Sequence, residues 1–153
     1  MMIKKYLYFV ICVFSTLTIS SQSNIPLGYW KSHLSYKTGI KVAKTKDKVV
    51  YASSRGLISI DQEDLSVKFL SKEDGLSDVI VSNLYYDDKS DKMIIVYSDN
   101  NIDILNGGHV TNIPFIQTNT SVLGSKTIND IFIKDHIAYM ATDFGVLGFD
   151  LDA

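Results

Sequence analysis

The 153-residue sequence predicts an all-β protein built of β-propeller blades, each a four-stranded antiparallel meander, in an incomplete ring. Two observations predict it. A small hairpin recurs three times, as "ASSRGLISID", "YSDNNIDIL" and "ATDFGVLGFD". Its turn residues Gly56, Asn101 and Gly145 lie 45 and 44 residues apart, and four short strands at a period of 40–45 residues mark a propeller blade.

The chain opens with "MMIKKYLYFVICVFSTLTISSQSN". Lys4 and Lys5 precede an apolar run from Leu7 to about Phe14, and a small-residue exit follows. This is the pattern of a secretory signal peptide, residues 1–22, with cleavage expected between Ser20 and Ser23. The run is shorter than the roughly 20 apolar residues that span a bilayer. Cys12, the single cysteine, lies inside it. The exported chain is therefore expected to be cysteine-free, with no disulfide or thiolate metal site. Residues 23–39 form an N-terminal segment.

Three blades are expected after it, over 40–72, 73–118 and 119–153. In each, glycine or asparagine at the hairpin turn suits a left-handed backbone. An apolar residue follows (Leu57, Ile102, Val146), and a small hydroxyl stands three residues before (Ser53, Ser98, Thr142). Upstream, "IKVAKT", "VIVSNLYYD" and "INDIFI" supply first strands. They turn through Asp/Lys-rich tips into the second strands "VVYA", "MIIVY" and "IAYMAT". Blade neighbours on both faces allow an inner strand to be continuously apolar, as "MIIVY" and "VVYA" are. Fourth strands follow at Leu65–Leu70 and His109–Ile116. The third unit lacks its fourth strand and a ring needs four to eight blades, so the sequence is expected to be the first part of a longer protein.

Composition excludes several classes. Hydrophobic residues make up 46% and charged residues 21%, which fits a folded globular chain. A net charge of −2 gives no basic field for nucleic acid. His33, His109 and His136 lack the close spacing of zinc ligands. "DDKSDK" (Asp87–Lys92) lacks the glycine and terminal glutamate of a calcium loop and reads as a polar hairpin tip. No Gly-x-Ser-x-Gly elbow or phosphate-binding glycine loop appears. No catalytic residue, metal site or cofactor is assigned, and the chain is read as a non-enzyme. The aromatic group Tyr29, Trp30 and Tyr36 is the binding candidate, as sugar-stacking or interface anchors. Packing of Trp30 beneath the ring is the competing reading.

Glu73–Leu105 resembles the two-component-regulator propeller repeat in its Gly75–Leu76 lead-in, apolar first strand, Asp-rich turn and hydroxyl-ended second strand. Tyr51, Ile95 and Tyr139 stand near the position where that repeat usually has Trp. A signal peptide followed by "IPLGYWKSHLSYK" and degenerate propeller units is similar to the N-terminus of the PorZ family. That resemblance implies a surface-associated component of the type IX secretion system of Bacteroidota. It also implies binding to the outer-membrane sortase complex proteins, or to the anionic lipopolysaccharide on which cargo is mounted. The alternative is the periplasmic oligosaccharide-sensing propeller of a hybrid two-component regulator.

Overall fold

The structure is a computed structural model and describes residues 34–152. The signal segment, Tyr29, Trp30 and His33 lie outside the described residues. Three antiparallel sheets follow one another along the chain. The first comprises β1 (Gly39–Lys44), β2 (Lys48–Ser53), β3 (Gly56–Asp61) and β4 (Val67–Leu70). The second comprises β5 (Val81–Asp87), β6 (Lys92–Tyr97), β7 (Ile102–Asn106) and β8 (His109–Ile113). The third has β9 (Ile128–Lys134), β10 (Ile137–Thr142) and β11 (Gly145–Asp150). Within each sheet every strand pairs with its sequence neighbour. β-Branched and aromatic residues suit these half-buried pleats.

Packing follows from strand alternation, which sends successive side chains to opposite faces. From β6, Met93, Ile95 and Tyr97 join Val50, Ala52, Leu57 and Leu84 in the core between the first two sheets. Ile94 and Val96 face the other way, joining Ile131, Ala138 and Met140 in the core between the second and third. All five β6 residues from Met93 to Tyr97 are buried. In β2 and β10 burial alternates, because among the described residues the outer faces of the first and third sheets have no neighbour. Val42, Val67 and Phe69 stay exposed on one outer face; Phe132, Tyr139 and Val146 stay exposed on the other.

Three further expectations are corrected. The fourth strand of the second blade stops at Ile113, not Ile116. Pro114 cannot donate to a ladder, and a helical turn, α1 (Phe115–Thr118), follows it and buries Ile116. The fourth strand of the first blade begins at Val67, because Leu65 is in a left-handed turn at φ 58°. The second hairpin differs from the other two. Gly56 and Gly145 have φ of 146° and 137°, and Ser53 Oγ and Thr142 Oγ1 donate to their carbonyls at 3.0 and 2.7 Å. In the second hairpin the left-handed residue is Asn100 (φ 68°), not Asn101. The Tyr97 N–H donates to the Asn101 carbonyl at 3.0 Å, which lengthens the turn by one residue. Asn101 is buried, and its side-chain oxygen accepts from the Ile102 N–H and from Asn112 Nδ2.

Candidate functional site: the first-strand wall and the blade ends

The first two sheets approach each other at β1 and β5. A polar chain runs across the three first strands. The Lys41 ammonium on β1 lies 4.8 Å from the centre of the Tyr85 ring on β5, within range of cation–π attraction. Tyr85 Oη donates to Asp130 Oδ1 on β9 at 2.9 Å and accepts from Asn83 Nδ2 at 2.7 Å. Burial, and then the bond to Asp130, push the Tyr85 hydroxyl up to about 12. The same bond holds the Asp130 carboxyl below its ordinary range. Lys41 and Asp130 share a register: each pairs with the alanine four residues before its hairpin glycine, Ala52 and Ala141. The wall thus offers a cation, an aromatic face, an amide and a carboxylate side by side. These groups can bind polar ligands, but they contain no nucleophile aligned with a base.

Behind this wall lies a fully buried carboxylate. Asp103 on β7 accepts from Tyr97 Oη at 2.6 Å, from the Ser77 N–H at 2.8 Å and from Asn112 Nδ2 at 2.9 Å. Burial and then this carboxylate push the Tyr97 hydroxyl far up. A buried charge is tolerated only when it is so satisfied. Asp103 therefore fastens the Ser77 loop, β6 and β8 together.

The β6–β7 and β10–β11 turns carry further carboxylates. Burial, and then its hydrogen bond with Asp78, raise the Asp99 carboxyl. The reciprocal bond lowers Asp78. Gln117 Nε2 donates to Asp99 at 2.5 Å. Asp143 accepts from Ser125 Oγ and, at 2.8 Å, from Asn129 Nδ2.

At the β5–β6 and β9–β10 turns, His136 Nδ1 lies 3.6 Å from Asp87 and 3.5 Å from Asp152. Asp135 and His136 form the turn itself, both left-handed at φ 50° and 64°. Burial alone would raise the Asp87 carboxyl. Hydrogen bonds from Ser90 and Lys89, with the His136 charge, outweigh it and hold the group low. Lys92 Nζ donates to the Leu151 carbonyl and sits 3.4 Å from Asp152. No group of three or more metal-ligating side chains is assembled among the described residues. Two of the three carboxylates of "DDKSDK" are engaged locally: Asp87 caps Ser90, and Asp91 accepts from Tyr86 Oη at 2.6 Å.

Of the aromatic candidates, Tyr36 is described. Its ring packs on Phe69 with centroids 5.1 Å apart, and its carbonyl accepts from Tyr51 Oη at 2.9 Å. It lies half-buried on the outer face of the first sheet, away from the Lys41–Tyr85–Asp130 chain. The sequence reading did not single out Lys41, Asn83, Tyr85, Asp103 or Asp130. The repeat, applied to first strands rather than to turns, carried the signal for Lys41 and Asp130.

A family model described as the N-terminal β-propeller domain of PorZ, of the type IX secretion system, matches residues 49–153. The fold is similar to the solved structure of PorZ from Porphyromonas gingivalis, with a TM-score of 0.74 and 32% sequence identity. That similarity covers 82% of this chain and 17% of the PorZ chain. The N-terminal domain of Nup159 aligns with a TM-score of 0.46 at 13% identity, over 84% of this chain and 34% of that one. No curated protein sequence matches.

Proposed function

Because the chain belongs to the PorZ N-terminal β-propeller family, we propose that it is part of an exported, non-enzymatic propeller scaffold of the type IX secretion system. The PorZ of Porphyromonas gingivalis is described as an essential bacterial surface component of that system. By this reading the signal segment delivers the protein to the periplasm or the outer-membrane surface. There it binds proteins of the sortase complex, or anionic lipopolysaccharide, while cargo is attached.

The observation that carries the reading is the family match over 49–153 together with 32% identity to PorZ. The chemistry of the described residues agrees with binding rather than turnover. Tyr85, Tyr97, Asp87 and Asp103 are each held in hydrogen bonds to neighbouring protein groups. The first-strand wall, with Lys41, Asn83, Tyr85 and Asp130, is the surface we assign to contact.

The test is an in-frame deletion of the gene in the bacterium that encodes it. Surface-attached and medium-released cargo are then measured, with complementation by the wild-type gene. Loss of surface attachment is expected. Unchanged attachment, with the protein absent from exported fractions of the parent strain, would overturn the reading.

A further inference from the structure

We propose that the cleft between the first and second blades is a docking site for an extended segment of a partner protein, one that carries an apolar side chain beside a carboxylate. The cleft measures about 520 Å³, within the usual range of ligand sites. One row of residues helps to leave it open. Across the second sheet the row facing the third blade is Ile94–Ile104–Thr111, and both isoleucines are buried. The equivalent row of the first sheet, facing the second blade, is Val50–Ser59–Lys68. Ser59 stands where Ile104 fills space, three residues after the hairpin turn in each case. A pocket in the interface between the second and third blades, lined by Ile102, Ile113, Met140 and Leu147, measures about 80 Å³. The two interfaces share a strand plan and differ in the volume of their side chains.

The walls of the cleft differ in character. The second blade presents Tyr86, Met93 and Leu105, aligned across β5, β6 and β7. The first presents the Ser59 hydroxyl and the Lys68 ammonium. The place of each charge, not the net charge, decides the occupant. Lys48 is paired with Asp47 at 3.0 Å; Asp91, on the second-blade wall, accepts from the neutral Tyr86 hydroxyl and keeps a carboxylate off that side. Lys68 has no acidic partner within 4 Å among the described residues. An incoming carboxylate at Lys68, with its apolar neighbour on Met93 and Leu105, matches both walls. A peptide fits better than an acyl chain, because an acyl chain would leave the Ser59 hydroxyl and the Gly107–Gly108 backbone, which also line the cleft, without partners. β4 is the end strand of its sheet, so its outer edge, unpaired among the described residues, can pair with an extended backbone.

The test uses the full-length protein and fluorescein-labelled dodecapeptides that alternate leucine with aspartate, or leucine with lysine, followed by fluorescence polarisation. Saturable binding of the acidic peptide is expected, with the lysine peptide at least tenfold weaker. Ser59→Ile, which copies the filled row, should weaken the acidic peptide at least tenfold while leaving thermal unfolding unchanged or raised. Lys68→Glu, an exposed substitution that does not burden folding, should reverse the preference between the two peptides. Absence of saturable acidic-peptide binding would overturn the proposal. So would indifference to both substitutions, or Ser59-sensitive binding of phosphatidylglycerol vesicles in place of the peptide.

Discussion

Tyr85 Oη donates to Asp130 Oδ1 at 2.9 Å, and this single bond joins the first strand of the second blade to the first strand of the third. Lys41 approaches the same ring from β1, so one tyrosine links three successive blades.

That link gives an alkaline signature. The Tyr85 and Tyr86 hydroxyls are both pushed from 10.0 up to about 12, each by burial and then by a carboxylate partner, Asp130 or Asp91. A phenol raised in the folded state adds stability that is complete below its unfolded value near 10. That stability is lost as pH rises toward about 12. Unfolding of the full-length protein should therefore become easier between pH 10 and about 12. Tyr85→Phe with Tyr86→Phe should lessen that dependence, Tyr97, whose hydroxyl is raised further, supplying the remainder, and absorbance titration at alkaline pH should lose two of its late phenols. A double variant that keeps the wild-type pH slope would remove these residues as its source.

The Asp103 node should be sensitive to removal of a single donor. Tyr97→Phe keeps the ring in the core and deletes the 2.6 Å bond to a fully buried carboxylate. Leaving a buried acceptor short of a partner costs about 1–3 kcal/mol. Urea unfolding should report that loss with an unchanged slope. A loss below about 0.5 kcal/mol, the usual size of surface effects, would mean that water replaces the hydroxyl.

Gly56 and Gly145 share a backbone conformation. A Cβ at Gly56 would meet the Leu70 carbonyl oxygen of β4 at 2.6 Å. Valine at either position incurs backbone strain of about 1–3 kcal/mol. Gly56→Val must in addition push β4 away from β3. Chemical unfolding should therefore show a loss for Gly56→Val above about 3 kcal/mol, the upper end of backbone strain alone. A loss inside the strain range would mean that β4 moves at no cost.

The two outer faces predict behaviour in isolation. Val42, Val67 and Phe69 on the first sheet, and Phe132, Tyr139 and Val146 on the third, are each more than 40% exposed. A large apolar side chain left in water forfeits about 1.5–3 kcal/mol of burial, against a total stability of about 5–15 kcal/mol for a domain. Residues 34–153 expressed alone should associate or melt without cooperativity. A monomer by light scattering with a sharp thermal transition would reject this.

The strands were legible in the sequence because turn chemistry and β-branched runs are local properties. The Gly56 and Gly145 hairpins could be placed from a glycine and a hydroxyl three residues before it. The extra turn residue at Asn100 could not, since two adjacent asparagines offer the left-handed position equally well. Tertiary packing of Asn101 against Asn112 chooses between them. The contacts at the first strands were illegible for a similar reason. Tyr85 and Asp130 are 45 residues apart, and nothing local marks either as polar partner to the other. Tyr36, from the conspicuous aromatic segment, packs on Phe69 on an outer face.

β6 sends Met93, Ile95 and Tyr97 into one core and Ile94 and Val96 into the next. The blades are therefore coupled like links in a one-dimensional chain, where stability resides in neighbour contacts as much as in the units. In residues 34–153 alone, loosening should begin at the outer sheets and travel inward, with β6 amides the last of the described strands to exchange with solvent. A residue change in β6 is felt by two interfaces at once. Changes in blade number would have to break the chain between blades whose facing rows can be rejoined, as Val50–Ser59–Lys68 and Ile94–Ile104–Thr111 cannot be without altering the volume between them.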